Sequence, residues 1–201
     1  MGALPILVLN NQMLSPRLGY FFDQRWIDPF ESLVSILWKF ARANDIAGHV
    51  LAASLCADGV DPYEGIPPLR EMVKWRWLRR EYRIPMRAIR ESMVASSRAH
   101  TLHPDLRYCR RCLSRGYHAT IQQCVGVPRC PIHDAPLSSA CRICGFQIPL
   151  RLNALLLDSP FSCPRCRTSL AVNRPPVVRH ESMRMGELVK ITRKRIEMHL
   201  S

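Results

Sequence analysis

The spacing of apolar positions between residues 28 and 97 predicts a series of short helices. The first is expected to begin at Asp28-Pro29-Phe30-Glu31, where the aspartate can cap free amides and the glutamate can act as a capping-box partner. Apolar residues then recur at helical spacing as far as Ala41, and Asn44-Asp45 ends the helix. A second predicted helix carries Ile46, Val50, Leu51 and Leu55.

Two further helices are predicted on either side of Pro85. The third begins after Pro67-Pro68 and extends to Tyr82, and the fourth runs from Pro85 to about Ser97. Four short helices in about 75 residues are typical of a small bundle of helix-turn-helix type. We therefore predict a mostly α, helix-turn-helix-like domain over residues 1–104. A short buried strand is expected within residues 1–9, leading into the first helix.

Four pairs of metal-binding residues, each with a two-residue gap, follow this helical region. They are Cys109 and Cys112, Cys130 and His133, Cys141 and Cys144, and Cys163 and Cys166. A two-residue gap lets both side chains of a tight turn reach one tetrahedral ion, and two such turns complete a structural zinc site. In chain order, the pattern predicts a three-cysteine, one-histidine site followed by a four-cysteine site, and hence two structural Zn²⁺ ions.

The intervals between the paired turns set the expected fold of this region. They contain 17 residues from Cys112 to Cys130 and 18 residues from Cys144 to Cys163, which is enough for a hairpin in each case. We therefore predict a small β region of tandem zinc ribbons over residues 105–174 and a basic C-terminal helix within residues 175–201. The fold class is α+β overall.

Three other kinds of chemistry are less favoured for the nine cysteines, because the count is odd with no export signal, no βαβ setting is suggested, and His133 and the ligand spacing favour zinc. A disulfide framework is typical of exported chains with an even cysteine count, a redox CxxC site needs a βαβ setting, and an iron–sulfur cluster can use cysteine ligands. Cys56 is expected to be a small buried apolar residue. Cys124 is an alternative ligand to Cys130, although Cys130 pairs naturally with His133. His118 is expected on the surface or in hydrogen bonds.

The chain is strongly basic, and the excess lies mainly in the cysteine-rich half. Of the formal net charge of +13, residues 1–104 contribute +3 and residues 105–201 contribute +10. Such an excess favours a polyanionic partner, above all nucleic acid, although a solvated charged surface is the alternative. The candidate DNA-binding or partner-binding residues are Arg110, Arg111, Arg142, Arg165 and Arg167 near the ligands, and Arg76, Arg79 and Arg80 in the helical region.

No pattern of an enzyme stands out. Each predicted metal site is filled by four protein ligands, which leaves no position for an activated water. We find no nucleophile elbow, phosphate-binding glycine loop or H-E-x-x-H sequence. The opening residues also lack a charged leader, so we expect a cytoplasmic chain with no membrane partner.

Two stretches of the sequence resemble the TniQ family of transposition proteins, whose longer relative is TnsD. Glu31-Ser32-Leu33-Val34-Ser35-Ile36-Leu37, continuing through Ala41-Arg42-Ala43-Asn44, is similar to the opening ESL-x-S-x-L helix of that family. Leu106-Arg107-Tyr108-Cys109 and the following ligand pairs, as far as Cys163-Pro164-x-Cys166, match its cysteine pattern in order. Two departures are Arg110, where the family usually has proline, and Ile121-Gln122, where it often has Trp-Gln.

The resemblance implies a bacterial, non-catalytic adaptor that associates with the nucleoid when it acts. Members of the family select the insertion site of a transposon and recruit its AAA+ ATPase, of the TnsC or TniB type. The implied partners are double-stranded DNA, that ATPase and, for short members, a CRISPR effector complex; a homodimer is a further candidate assembly. Two competing functions are a sequence-specific DNA-binding regulator with no ATPase partner and a zinc-ribbon protein that binds RNA.

Overall fold

The computed structural model describes residues 19–173 and 182–199. Within them the regular elements are all helices: α1 (Leu33–Asn44), α2 (Gly48–Leu55), α3 (Trp75–Glu81), α4 (Met86–Ser92), α5 (Arg110–Ser114), α6 (Ala154–Leu157) and α7 (Met185–Glu197). Short 3-10 helices occupy Gln24–Trp26, Ser96–Thr101 and Thr120–Gln123. The strand expected within residues 1–9 lies outside the described part of the chain.

Helix α1 begins four residues later than the predicted start. Its N-cap is Ser32, whose side chain accepts a hydrogen bond from the Ser35 amide, so the prediction that Asp28 caps the helix is wrong. Phe30 adopts a left-handed backbone conformation with φ 59°, which a helix does not tolerate. The Glu31 carboxylate does reach back to the Asp28 amide, at 3.0 Å, but it closes a turn in front of the helix. The predicted C-terminal end is confirmed by Asp45, a left-handed cap.

The third and fourth predicted helices are both shorter than the pattern suggested. Residues 69–74 form turns, because the Arg70 amide donates to the Val94 carbonyl at 2.9 Å and the Lys74 amide to the Leu55 carbonyl at 2.9 Å. Backbone groups paired in this way are not available to a helix. Helix α4 ends at Ser92, and Val94 instead pairs with Leu69 in an isolated bridge. The C-terminal helix is confirmed as α7.

The main core joins the helical half to the cysteine-rich half. Helix α1 is buried along nearly its whole length, and its Trp38 indole donates to the Leu156 carbonyl at 2.8 Å. The same indole lies 5.0 Å from the Phe161 ring. One continuous apolar cluster extends from Leu33 to Ala171. Shared packing therefore crosses the predicted boundary near residue 104.

A second, smaller core surrounds the first group of predicted metal ligands. Cys109, Cys112 and Cys130 lie there among buried apolar residues, and helix α7 contributes Ile191. An ion pair of 2.7 Å between Arg115 and Glu187 holds the N-terminal end of α7 against this core. The C-terminal helix is thus part of the folded body on the side of the first ligand group.

Two buried polar clusters connect the start of α1 to its surroundings. Glu31 forms a 2.8 Å ion pair with Lys39, and the Lys39 ammonium also donates to the Trp26 carbonyl at 2.6 Å. His118 is fully buried and lies 2.6 Å from the Ser32 hydroxyl through Nδ1. The Ser32 amide in turn donates to the His118 carbonyl at 2.7 Å. The two contacts of His118 fix the segment before the second ligand pair onto the N-terminus of α1.

No helix in the described ranges is both long and apolar enough to cross a bilayer.

Candidate metal centres and basic surfaces

The structure assembles the first four predicted ligands into one group. The ligand atoms of Cys109, Cys112, Cys130 and His133 all lie within 4.8 Å of one another. The Cys112 and Cys130 sulfurs are 3.6 Å apart, and His133 Nδ1 lies 3.5 Å from Cys109 and 3.3 Å from Cys112. The three cysteines are each about 1% exposed, so this group sits inside the second core.

The second group contains the four remaining cysteines and lies nearer the surface. Cys141, Cys144, Cys163 and Cys166 also hold their sulfurs within 4.8 Å of one another. Cys141 and Cys166 are 3.6 Å apart, as are Cys144 and Cys163. Cys144 and Cys166 are partly exposed, whereas Cys163 is fully buried. Each group therefore draws its ligands from two consecutive ligand pairs, as the chain order predicted.

Three of the four ligand pairs form the same tight turn. In each, the amide of the first ligand and the amide of the residue after the second ligand close the loop, as in Cys141 N to Phe146 O at 2.9 Å and Gly145 N to Cys141 O at 2.8 Å. The residue after the second ligand has a positive φ in all three turns: Asp134, Gly145 and Arg167. This left-handed residue turns the chain back so that both ligand side chains point to one centre.

The first ligand pair is built differently. Cys109 is the N-cap of α5, and Cys112 lies within that helix. A proline could also occupy the first helical position, where its missing N–H has no helical partner, so Arg110 fits the same geometry. The departure from the resembled pattern therefore leaves both ligands in place.

The expected hairpins between the paired turns are not formed as extended strands in the described residues. The first interval contains the 3-10 turn Thr120–Gln123, and the second contains α6. Pairing there consists of isolated bridges. The bridges of Arg129 with Pro136 and of Ala140 with Gln147 flank ligand turns, whereas Ala119 pairs with Glu31 and Leu152 with Ile66. These intervals dock onto the helical half instead of pairing with themselves.

The geometry and chemistry of both groups fit a tetrahedral divalent cation. Zn–S bonds of about 2.3 Å place neighbouring sulfurs of a tetrahedral site about 3.8 Å apart, close to the observed 3.6 Å. The sulfurs are far beyond disulfide bonding distance, which is about 2.05 Å, and all nine cysteines are free. Two zinc ions are compatible with these ligand sets.

The electrostatics of the buried group also favour a cation. Hydrogen bonding to Cys109 raises the pKa of Cys112 well above its ordinary value, while hydrogen bonding from Cys112 lowers the pKa of Cys109. The Cys109 sulfur likewise raises the pKa of His133 to about 9. Protein atoms alone can therefore share protons among these groups but cannot support all of them in the deprotonated, metal-binding form.

The remaining sulfur and imidazole groups lie outside both clusters. Cys124 is fully buried in the second core, and Cys56 is buried in the main core beside α2. Burial raises the pKa of both thiols. His118 was expected either on the surface or in hydrogen bonds. It is buried, and its ring makes hydrogen bonds.

Gln122 is a residue whose contact with the metal-binding group the sequence did not reveal. Its side-chain nitrogen lies 3.3 Å from the Cys112 sulfur and 3.7 Å from the Cys130 sulfur. The only sequence signal was its position in Ile121-Gln122, which corresponds to the Trp-Gln of the resembled pattern. A glutamine has no strong preference as a ligand neighbour, so only the tertiary structure identifies this contact.

The predicted basic residues near the ligands differ in their availability. Arg111, Arg142 and Arg165 are exposed. Arg110 is partly buried and donates to the Ala171 carbonyl at 3.2 Å. Arg167 is exposed as a residue but uses its guanidinium to contact the Asp158 carbonyl at 2.9 Å and the Ser159 hydroxyl at 2.7 Å. Arg110 and Arg167 therefore have structural contacts that a binding role would have to share.

A second set of arginines lies on α3, on α4 and on the turn between them. Arg76, Arg79, Arg80, Arg83, Arg87 and Arg90 are all exposed. Arg80 pairs with Glu81 at 2.6 Å and Arg87 with Glu91 at 2.8 Å. The same two helices direct Leu78 and Ile89 into the core. We call these six exposed residues the α3–α4 arginine surface.

Comparison of the chain with protein-family models and with curated proteins gives no match.

Proposed function

We propose that this chain is a non-catalytic adaptor for DNA transposition that binds target DNA, or a complex that marks it, and recruits an AAA+ ATPase. The observation that carries this proposal is the assembly of eight ligands into two closed groups, in the chain order of the TniQ pattern. The start of the opening helix of that pattern also has a physical role here, because Glu31 pairs with Ala119 in an isolated bridge and the Ser32 hydroxyl contacts His118.

The two ligand groups serve as structural zinc sites in this proposal. Each supplies four protein ligands, the number that closes the shell of a structural site. Apparent zinc-binding free energies of about 10–16 kcal/mol per site are typical of small zinc domains, and they add directly to folding. Such sites would fix the turns in a region without extended strands, and the three similar turns are of the kind that zinc ribbons use.

The α3–α4 arginine surface is the proposed DNA interface. Helices α3 and α4 are joined by only four residues, 82–85, which suits a helix-turn-helix unit. In such units, exposed arginine side chains contact the phosphates of the DNA backbone. These side chains are long and flexible enough to reach phosphates on either side of a groove. Arg142 and Arg165, which lie inside the ligand turns of the second group, form a separate basic set for the ATPase or another acidic partner.

A charge-matched pair of variants tests the DNA interface. Arg76→Gln with Arg79→Gln removes two charges from the α3–α4 arginine surface, and Arg142→Gln with Arg165→Gln removes two from the ligand turns. Duplex affinity is measured by fluorescence anisotropy over a range of salt concentrations. The first variant is expected to bind at least about tenfold more weakly, with the salt slope reduced by about two units. Equal losses of duplex affinity in the two variants would show that binding depends only on total positive charge, and would contradict a DNA interface at the α3–α4 arginine surface.

Recruitment of the ATPase is tested separately with purified proteins. Co-purification with the AAA+ ATPase encoded beside the same transposon is expected for the wild-type chain and for the α3–α4 double variant. Co-purification is expected to weaken in the Arg142→Gln, Arg165→Gln double variant, because the surface that contacts the ATPase then loses two positively charged side chains. An ATPase that binds none of these proteins would exclude the adaptor function.

The alternative is a sequence-specific DNA-binding regulator. It is favoured by the same α3–α4 arginine surface, which needs no ATPase to bind a duplex. A regulator would bind one duplex far more tightly than scrambled competitors at physiological salt, by roughly 10³-fold or more. An adaptor that depends on a separate target-marking complex would show little preference among sequences.

A further inference from the structure

The Gln122 side chain is buried beside the first ligand group with its amide nitrogen turned toward two sulfurs. Gln122 is 1% exposed. Its Nε2 lies within donating distance of both Cys112 and Cys130, whereas its Oε1 has no hydrogen-bond partner among the described residues. Leaving a buried carbonyl oxygen unpaired is costly, because it loses its hydrogen bonds to water and gains none in the protein. A compensating interaction at the nitrogen is therefore required to hold this orientation.

The orientation of the amide identifies what that interaction is. Rotating the amide by half a turn would place Oε1, an acceptor, against two sulfurs that also accept when they are thiolates. The observed orientation instead places Nε2, a donor, within reach of both sulfurs. Neutral thiols would accept only weakly, so the contact gains most when both sulfurs are thiolates bound to a cation.

The charge of the buried group explains why such a donor is needed. Three thiolates and one neutral imidazole around Zn²⁺ leave one net negative charge, and the three sulfurs are almost completely buried. A buried charge without nearby donors is costly. The second group differs, because Cys144 and Cys166 are partly exposed to solvent.

From these contacts we propose that Gln122 is a positioning residue of the first zinc site. Its amide donates to the Cys112 and Cys130 thiolates, stabilises their negative charge and so strengthens zinc binding at this site alone. The inference rests on the proposed role of the two groups as zinc sites. Groups that hydrogen-bond to metal ligands in this way typically change metal affinity by roughly 10-fold to 100-fold.

The neighbouring Gln123 provides a matched control. It is also buried, at 3% exposed, but its Nε2 donates to the Arg107 carbonyl at 2.7 Å, lies 3.2 Å from His118 Nε2 and contacts no sulfur among the described residues. Gln122→Met and Gln123→Met each remove one amide of similar volume. Gln122→Glu additionally places a carboxylate against the thiolates, and this variant is expected to weaken the first site further.

The experiment measures metal binding at each site in the full chain. Zinc affinity is obtained by competition with a chelator, and the two sites are distinguished by ¹¹³Cd NMR, since three-sulfur and four-sulfur environments give different shifts. Gln122→Met is expected to weaken the first site by roughly 10-fold to 100-fold and to leave the second unchanged. In the Co²⁺ form, its sulfur-to-metal charge-transfer band is expected to move to lower energy, because the thiolates lose a donor.

Distinct outcomes separate this inference from the proposed function. If Gln122→Met weakens the first site no more than Gln123→Met and leaves the charge-transfer band in place, Gln122 has no positioning role, although both zinc sites stand. A wild-type chain that binds fewer than two zinc ions would instead contradict the zinc sites themselves.

Discussion

Acidification is expected to destabilise the protein through His118. This imidazole is completely buried, and burial lowers its pKa from the ordinary 6.5 to about 4. Nε2 lies 2.7 Å from the Arg107 carbonyl, which can only accept, so Nε2 carries the proton and donates it. Nδ1 then accepts from the Ser32 hydroxyl at 2.6 Å. The neutral ring is thus satisfied at both nitrogens.

The size and direction of the effect follow from the two pKa values. Because the folded-state pKa lies below the unfolded-state value, the unfolded chain binds the proton more readily and stability falls as pH falls from 6.5 toward 4. The full difference corresponds to about 3 kcal/mol, of which about 1 kcal/mol is lost between roughly pH 7 and pH 5.5. This upper window limits the contribution from acid release of zinc.

Urea unfolding at a fixed free zinc concentration measures this loss. Trp38 is fully buried and reports unfolding by its fluorescence. His118→Gln keeps a donor toward the Arg107 carbonyl but does not titrate. The pH dependence of its stability therefore comes from all the other titratable groups, which the wild-type protein shares. The wild-type protein is expected to lose about 1 kcal/mol more than the variant between roughly pH 7 and pH 5.5. Parallel stability curves for the two proteins, with equal metal content, would exclude His118 as the cause.

Two further substitutions test the packing around α1 and α2. Glu31→Gln is expected to destabilise the protein by about 3 kcal/mol, because it leaves the buried Lys39 ammonium without its carboxylate. Adding Lys39→Met should recover much of the loss in urea unfolding, and no recovery would show that the ion pair is not the cause. Gly48→Ala is expected to cost about 2 kcal/mol, because its Cβ would collide with the backbone of α6. Gly186→Ala in α7 meets no atom within 4 Å and should not lower the melting temperature; equal effects of the two alanines would contradict this packing.

The ligand groups could be predicted from the sequence because their geometry is local. A two-residue gap places both side chains of a tight turn at one centre whatever surrounds it, and chain order then determined which turns share an ion. In three of the four pairs, the residue after the second ligand has a positive φ: Asp134, Gly145 and Arg167. Only one of these three residues is a glycine, so the sequence did not identify the turns at Asp134 and Arg167 by that criterion.

Element boundaries depended on contacts between distant parts of the chain. The local sequence favours a helix that begins at Asp28. In the structure the Phe30 carbonyl instead accepts from the Thr120 amide at 3.1 Å, so the chain pairs with a distant segment before α1 begins. The predicted hairpin between Cys144 and Cys163 is absent for a similar reason. The Leu152 amide in that interval donates to the Ile66 carbonyl at 2.7 Å, so it pairs with the helical half. Partners so distant along the chain leave no periodic signal in a single sequence.

The metal content and coordination of the purified protein decide whether the two ligand groups are zinc sites. Native mass spectrometry together with zinc X-ray absorption is expected to show two zinc ions whose combined shells contain seven sulfurs and one nitrogen, as the two groups provide. A protein without bound zinc, or with its cysteines joined as disulfides, would contradict the assignment of two structural zinc sites.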